Sequence, residues 1–291
     1  MPTIAEKRVF TKRDDVVRAL VASSMGVVGV SLSGDIVGEF GIEHRCDARD
    51  VAARGDAVAV ATDEDVLVGD FEPTGHGPAV TVSVADAGVI ATAPDGAVSV
   101  LASDADADGS NADNAVDDDA WTVVGSVDDP RRLDGRLVAA ADGVHRLTGG
   151  SLEYAGLDDA RDVSDRGVPL AVTAEALYTL GNGWMRDLEP NEEEPADPTR
   201  RTGDGFRCVA ADPEGERAVA ATGAALYERA DATATDWVRH DESGVVDAAF
   251  AGRHLVAVTD SGEARVYADG GWRGRTLGLP DVRAVAVPGE H

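Results

Sequence analysis

Four tryptophans, Trp121, Trp184, Trp237 and Trp272, fall at the same place in a repeating unit. Each opens a strand-like run after two earlier runs joined by a small turn. The clearest copies are Arg217–Tyr227 before Trp237 and His254–Tyr267 before Trp272. Apolar residues alternate with a period of two, β-branched residues are enriched, and Gly or Asp punctuates the runs, which together signal short antiparallel strands. A repeated small sheet cannot bury its faces alone, so the units must stack on one another.

The register can be followed along the chain. A first run, strand a, is expected at 49–55, 80–84, 131–135, 161–167, 207–211, 246–250 and 283–287. All but the last are followed by a Val/Ala-rich strand b, a turn and a strand c. Strand d follows, often opened by Trp. Six complete units result, at about 47–74, 79–127, 130–157, 160–190, 206–241 and 245–281. The ends supply a seventh: 18–44 reads as strands b, c and d, and 282–287 provides the missing strand a. Such pairing closes a ring and leaves few exposed edges. The expected fold is all-β, a seven-bladed β-propeller forming one domain over residues 1–291. Asp15–Leu20 is ambiguous, resembling both a strand a and a helical turn, and residues 1–14 have no assigned place.

Composition limits the partners. The chain carries 54 acidic and 26 basic residues, a net charge of −28, and only two lysines, Lys7 and Lys12. Such a body repels nucleic acid and anionic membranes in ordinary buffer. Molar salt shortens the Debye length to about 3 Å and screens the self-repulsion. An Asp-rich, Lys-poor chain therefore points to an extreme halophile and a cytoplasmic location. With aromatics at 4%, the core must be built mostly from Val, Ala and Leu. No apolar run is long enough to span a bilayer, and the N-terminus does not read as a signal peptide. Cys46 and Cys208 lie in no zinc or redox spacing and read as buried small hydrophobes.

The blade-like units resemble those of seven-bladed propellers of the WD40/YVTN/BNR-like group, and the whole chain resembles uncharacterised haloarchaeal β-propeller proteins. Gly181–Trp184 and Asp269–Trp272 are similar to a worn Asp-box of sialidase-like propellers. The full Asp-box spacing is not kept, so the resemblance implies no sialidase chemistry. No Trp-Asp dipeptide ends the blades. The resemblance implies a fold and leaves activity open.

Five a strands begin with an arginine in register: Arg49, Arg131, Arg161, Arg207 and Arg283. Asp47, Asp129, Asp159 and Asp281 stand two residues before four of them. Five guanidiniums at one channel mouth would offer planar donors to a carboxylate or phosphate. The plainer and preferred expectation is that each pairs with an Asp of its own or the next blade. Asp104, Asp106 and Asp108, followed by Gly109, match the start of a calcium loop. The match then fails, because position twelve is Ala115 and position nine is Ala112. A solvated acidic loop is the preferred reading of this insert (103–119), with calcium the lesser one. The second insert, 189–205, reads as a mobile Pro- and Glu-rich loop at the same mouth as the arginines, with simple disorder preferred over a lid on the channel. Residues 7–13 hold both lysines and two arginines, and suit either an extra strand or a docking arm. The six histidines are scattered, and no nucleophile elbow, P-loop or dinucleotide fingerprint is present.

No catalytic residue is assigned from the sequence. The expected function is a non-enzymatic scaffold presenting loop faces to a protein partner. The alternative is a small-anion-binding protein, or a hydrolase or lyase, using the arginine-bearing mouth.

Overall fold

The computed structural model describes residues 16–102, 121–190, 205–231, 236–268 and 270–289. All regular structure in them is strand, and it forms seven four-stranded antiparallel sheets. The fold is a seven-bladed β-propeller. Blade 1 pairs the C-terminal strand Ala284–Ala286 with Val16–Ser23, then Gly26–Ser33 and Ile36–His44. Val21 faces Val285 in that closing pair. Of the ambiguous stretch Asp15–Leu20, the part from Val16 onward begins a strand b, and Asp15 lies outside the described residues.

The other inner strands are Ala48–Arg54 (blade 2), Thr81–Ala85 (blade 3), Pro130–Asp134 (blade 4), Asp162–Ser164 (blade 5), Phe206–Ala211 (blade 6) and Val245–Ala251 (blade 7). Small residues let neighbouring blades approach: Ala59, Ala61, Ala139, Ala171, Ala220, Ala221 and Ala257 are fully buried between them. Apolar clusters sit at the seams, as where Leu20, Val27, Val51 and Val60 join blades 1 and 2.

The tryptophans have a common task. The indole N–H of Trp121 donates to Thr74 Oγ1 at 3.1 Å, that of Trp184 to the Ala155 carbonyl at 3.0 Å, and that of Trp237 to Asp187 Oδ2 at 3.4 Å. Each reaches back to the outer strand of the preceding blade. Trp272 makes the same backward lean by ring contact with His240 of blade 6. The repeat seen in the sequence is therefore a repeat of seam fasteners. Among the described residues, no helix is long and apolar enough to cross a membrane.

Candidate functional site: the channel and its two mouths

All seven inner strands run the same way around a central channel. Their starts form an upper mouth and their turns into strand b form a lower mouth. The five in-register arginines lie at the upper mouth, and four of them reach toward the next blade. Arg283 donates to Asp47 Oδ1 at 2.5 Å and to the Ala48 carbonyl at 2.9 Å. Arg131 donates to Asp159 Oδ1 at 2.7 Å and to the Ala160 carbonyl at 3.1 Å. Arg161 donates to the Phe206 carbonyl at 3.0 Å, and Arg207 lies 3.6 Å from Asp260. The accepting carbonyl belongs each time to the residue just before the next blade's arginine. The Asp-x-Arg motif thus works between blades, the Asp of one receiving the Arg of the last. Asp129, Asp159 and Asp281 adopt positive φ at these turns, which Asp tolerates better than most residues. Arg49 makes no hydrogen bond or ion pair among the described residues. Its neighbour, blade 3, has Pro78 and Val80 where the Asp and Arg of the motif stand in blades 1, 2, 4 and 5.

None of these five arginines lines the central cavity, which has a volume of about 150 Å³. Four charged groups that line it sit one residue further along the strands, Asp50, Arg132, Asp162 and Asp247, and Asp134 and Arg166 line it nearer the lower mouth. Side chains in a strand alternate faces, so a shift of one residue changes what each meets. These positions are invisible to a reading that follows the arginine column.

The three aspartates act alike. Asp50 accepts the N–H of Val51 on Oδ1 at 2.9 Å and that of Val82, in the next blade, on Oδ2 at 3.1 Å. Asp162 accepts from Val163 and from Val209 of the next blade, both at 2.8 Å. Asp247 accepts from Ala248 at 2.9 Å and from Val285 of the next blade at 2.8 Å. Inner strands are sheet edges, and their channel-side N–H groups need acceptors. Three carboxylates, each serving two neighbouring blades, provide for six. The seventh, blade 4, carries Arg132 at this level.

Arg132 balances the belt. Its Nη1–H donates to Asp50 Oδ1 at 2.9 Å, its Nη2–H donates to the Arg283 carbonyl at 2.6 Å, and Asp247 lies 3.8 Å away. Burial works against the cation, but Asp247, Asp50 and Asp162 outweigh it and hold the guanidinium above its ordinary range. Burial pushes the Asp162 carboxyl up to about 8 and that of Asp247 up to about 6, with Arg132 opposing both. Thr81 also donates its hydroxyl to Asp50.

Neither thiol is poised for nucleophilic work. Burial, aided by Asp63 and Asp47, pushes Cys46 up to about 11, and burial raises Cys208 well above the usual thiol range. Among the described residues, no group of His, Cys, Asp and Glu is arranged to hold a metal ion. Asp104, Asp106 and Asp108, the arm 7–13 and most of the 189–205 insert lie outside the described residues.

The fold is shared with solved structures of low sequence identity. A protein from Lactobacillus plantarum is 13% identical with a TM-score of 0.62, over 94% of this chain and 99% of that one. The periplasmic gluconolactonase PpgL of Pseudomonas aeruginosa gives the same values. A functionally unknown protein from Desulfotomaculum acetoxidans is 10% identical with a TM-score of 0.65, over 94% and 100% of the two chains. Such likeness speaks for architecture alone. Among curated proteins no sequence matches the chain. The model of the family described as "Beta-prop_HVO_0234:-like, beta propeller" matches residues 3–288. With seven closed blades and a match along nearly its whole length, the chain belongs to the HVO_0234-like beta-propeller family.

Proposed function

We propose that the protein is a non-enzymatic scaffold that docks a protein partner on its loop faces. The observation that carries this reading is how the charged interior is occupied. The belt carboxylates are filled by backbone N–H groups and Arg132, and four upper-mouth arginines are engaged across seams. Groups so engaged serve rigidity, and a rigid disc with two broad loop faces is a docking platform. The excess of acids and the two free thiols support a salt-rich cytoplasm in a halophile as its setting.

The test is a binding experiment with two purified proteins in molar KCl, the partner first being identified by cross-linking. Val168 on the lower face and Met25 on the upper face are 46% and 41% exposed. Val168→Asp or Met25→Asp should weaken binding about tenfold, a loss of about 1.4 kcal/mol, according to the face used. Failure to reconstitute any complex, together with turnover of a small substrate, would replace this reading.

A second reading, a small-anion site at the upper mouth, is favoured by one observation: Arg49 makes no hydrogen bond or ion pair among the described residues. A hydrolase or lyase on that mouth would need a base within reach of the bound anion.

A further inference from the structure

The lower mouth holds groups that neither the aspartate belt nor the arginine seams use. The turns from inner to second strand in blades 4, 5 and 6 are locked together there. The Asp165 N–H donates to Asp134 Oδ2 at 2.8 Å, and the Arg136 N–H donates to Asp165 Oδ2 at 3.0 Å. Gly167 and Gly215 both have positive φ and face one another. A Cβ on Gly167 would lie 2.7 Å from Gly215 Cα, so the two turns can meet only as glycines.

Arg166 is held inside this rim. It lines both the central cavity and the mouth, a recess of about 230 Å³. It makes no hydrogen bond or ion pair among the described residues. This is unexpected in a chain with 54 acids. Beside it stand the Asp134 carboxyl and the Ser164 hydroxyl, which also line the cavity. Ser164 is 1% exposed, and its hydroxyl leans on the Asp134 carboxyl without forming a hydrogen bond of ordinary geometry. Arg54 completes the mouth, and its one ion pair among the described residues is with the exposed Asp86 at 2.9 Å.

We propose that this lower mouth is a binding site for a small hydroxy-carboxylate, with Arg166 receiving the carboxylate and Ser164 and Asp134 receiving the hydroxyl.

A guanidinium fork matches a carboxylate bidentately, and its strength grows where water is scarce. A buried hydroxyl with only an ill-formed bond is costly, and a ligand hydroxyl set between Ser164 and Asp134 would complete it. Both volumes fall below the ~300 Å³ at which sites for drug-sized ligands begin, so the ligand is an acid of a few carbons. The charged groups lining the mouth are Arg54 and Arg166 against Asp134 and Asp165, with Asp86 and Arg136 paired to Arg54 and Asp165 outside it and Arg132, Asp50, Asp162 and Asp247 deeper. Burial pushes the Asp134 carboxyl up, against its Asp165 N–H bond and Arg166. An anion bound next to it favours the protonated form further. Binding therefore takes up a proton and weakens as pH rises.

Glycolate and its neutral isostere glycolamide test the site on the full chain at fixed ionic strength. Titration calorimetry should give saturable glycolate binding with a Kd of about 1–10 mM, weakening from pH 5 to pH 8. The Arg166 Nε resonance should move with glycolate and stay still with glycolamide. Arg166→Gln should lower the affinity at least about tenfold, whereas Arg273→Gln, on the outer strand of blade 7, should leave it unchanged. Equal binding of glycolamide, unchanged binding by Arg166→Gln, or neither heat nor a moving Arg166 resonance at about 100 mM glycolate would overturn the proposal. Should Arg166→Gln fail to fold, the resonance of the unaltered protein decides.

Discussion

Arg132 of blade 4 donates to the Asp50 carboxylate of blade 2 at 2.9 Å, reaching past blade 3 to do so. The same guanidinium takes the Arg283 carbonyl of blade 1. One side chain thus joins three blades through the middle of the channel. Each blade contributes one member of the level at which they meet: Asp50, Thr81, Arg132, Asp162, Cys208, Asp247 and Ala284.

Replacing Arg132 with Met should destabilise the fold by about 3–5 kcal/mol, because Asp50 would keep a buried charge without its cation. Asp50→Asn in the same background should recover part of that loss. Urea unfolding of the four proteins of the cycle measures the coupling, and simple additivity would refute the pairing.

Stability should fall as pH rises from about 4 to about 8. Asp162 titrates at about 8 in the folded chain, far above the ordinary carboxylate value. Between those values the folded state holds a proton that the unfolded state has released. The slope therefore has one sign, and each such carboxyl contributes up to ~1.4 kcal/mol per pH unit. Asp247, at about 6, adds to the slope only in the lower half of the range. Asp162→Asn should flatten the slope between pH 6 and pH 8, as read by denaturant midpoints in molar KCl.

Arg283→Gln should cost about 1 kcal/mol, since its contacts to Asp47 and the Ala48 carbonyl are partly exposed. Arg49→Gln should cost close to nothing. Equal losses of melting temperature in the two would contradict the seam role of the motif.

Removing residues 282–291 should abolish the folded monomer. The strand lost is short, Ala284–Ala286, but with it go the Val285 N–H held by Asp247 and, just before it, the Arg283 carbonyl held by Arg132. Light scattering should report aggregation, and an unchanged melting temperature would argue against a required closure.

The melting temperature should also drop as KCl is lowered from molar to tens of millimolar. A net charge of −28 repels itself once screening is lost.

The blades were legible because strand period, turn residues and Trp fasteners all recur with one register. Closure was legible because 18–44 lacked an inner strand that 282–287 could supply. The arginine column was equally visible, and so was the Asp two residues before four of its members, but not which blade's arginine such an Asp receives: Asp47 and Asp159 take that of the preceding blade. The belt was hidden for a physical reason. Each Asp serves two blades, so the residue appears only in blades 2, 5 and 7, never in two adjacent ones. Among 54 acids such a sparse pattern does not stand out. Arg132, next to Arg131, looks like a duplicate until the alternation of strand faces separates them. Arg166 could be told from other arginines only by what its turn packs against.

The seams of the ring are not equivalent. Arg283 fastens blade 1 to blade 2, Asp50 blade 2 to blade 3, Arg131 blade 4 to blade 5, Asp162 and Arg161 blade 5 to blade 6, Arg207 blade 6 to blade 7, and Asp247 blade 7 to blade 1. Between blades 3 and 4, the corresponding link among the described residues is the Ser83 hydroxyl on the Gly135 carbonyl. What holds that junction is mainly apolar packing of Ile90, Val98, Leu133 and Val138. Apolar contact tightens in kosmotropic salt and slackens in the cold, whereas the carboxylate links respond to pH. Among the described residues, the junction of blades 3 and 4 is therefore the one that no carboxylate or guanidinium bridges between adjacent blades, and its grip follows the solvent.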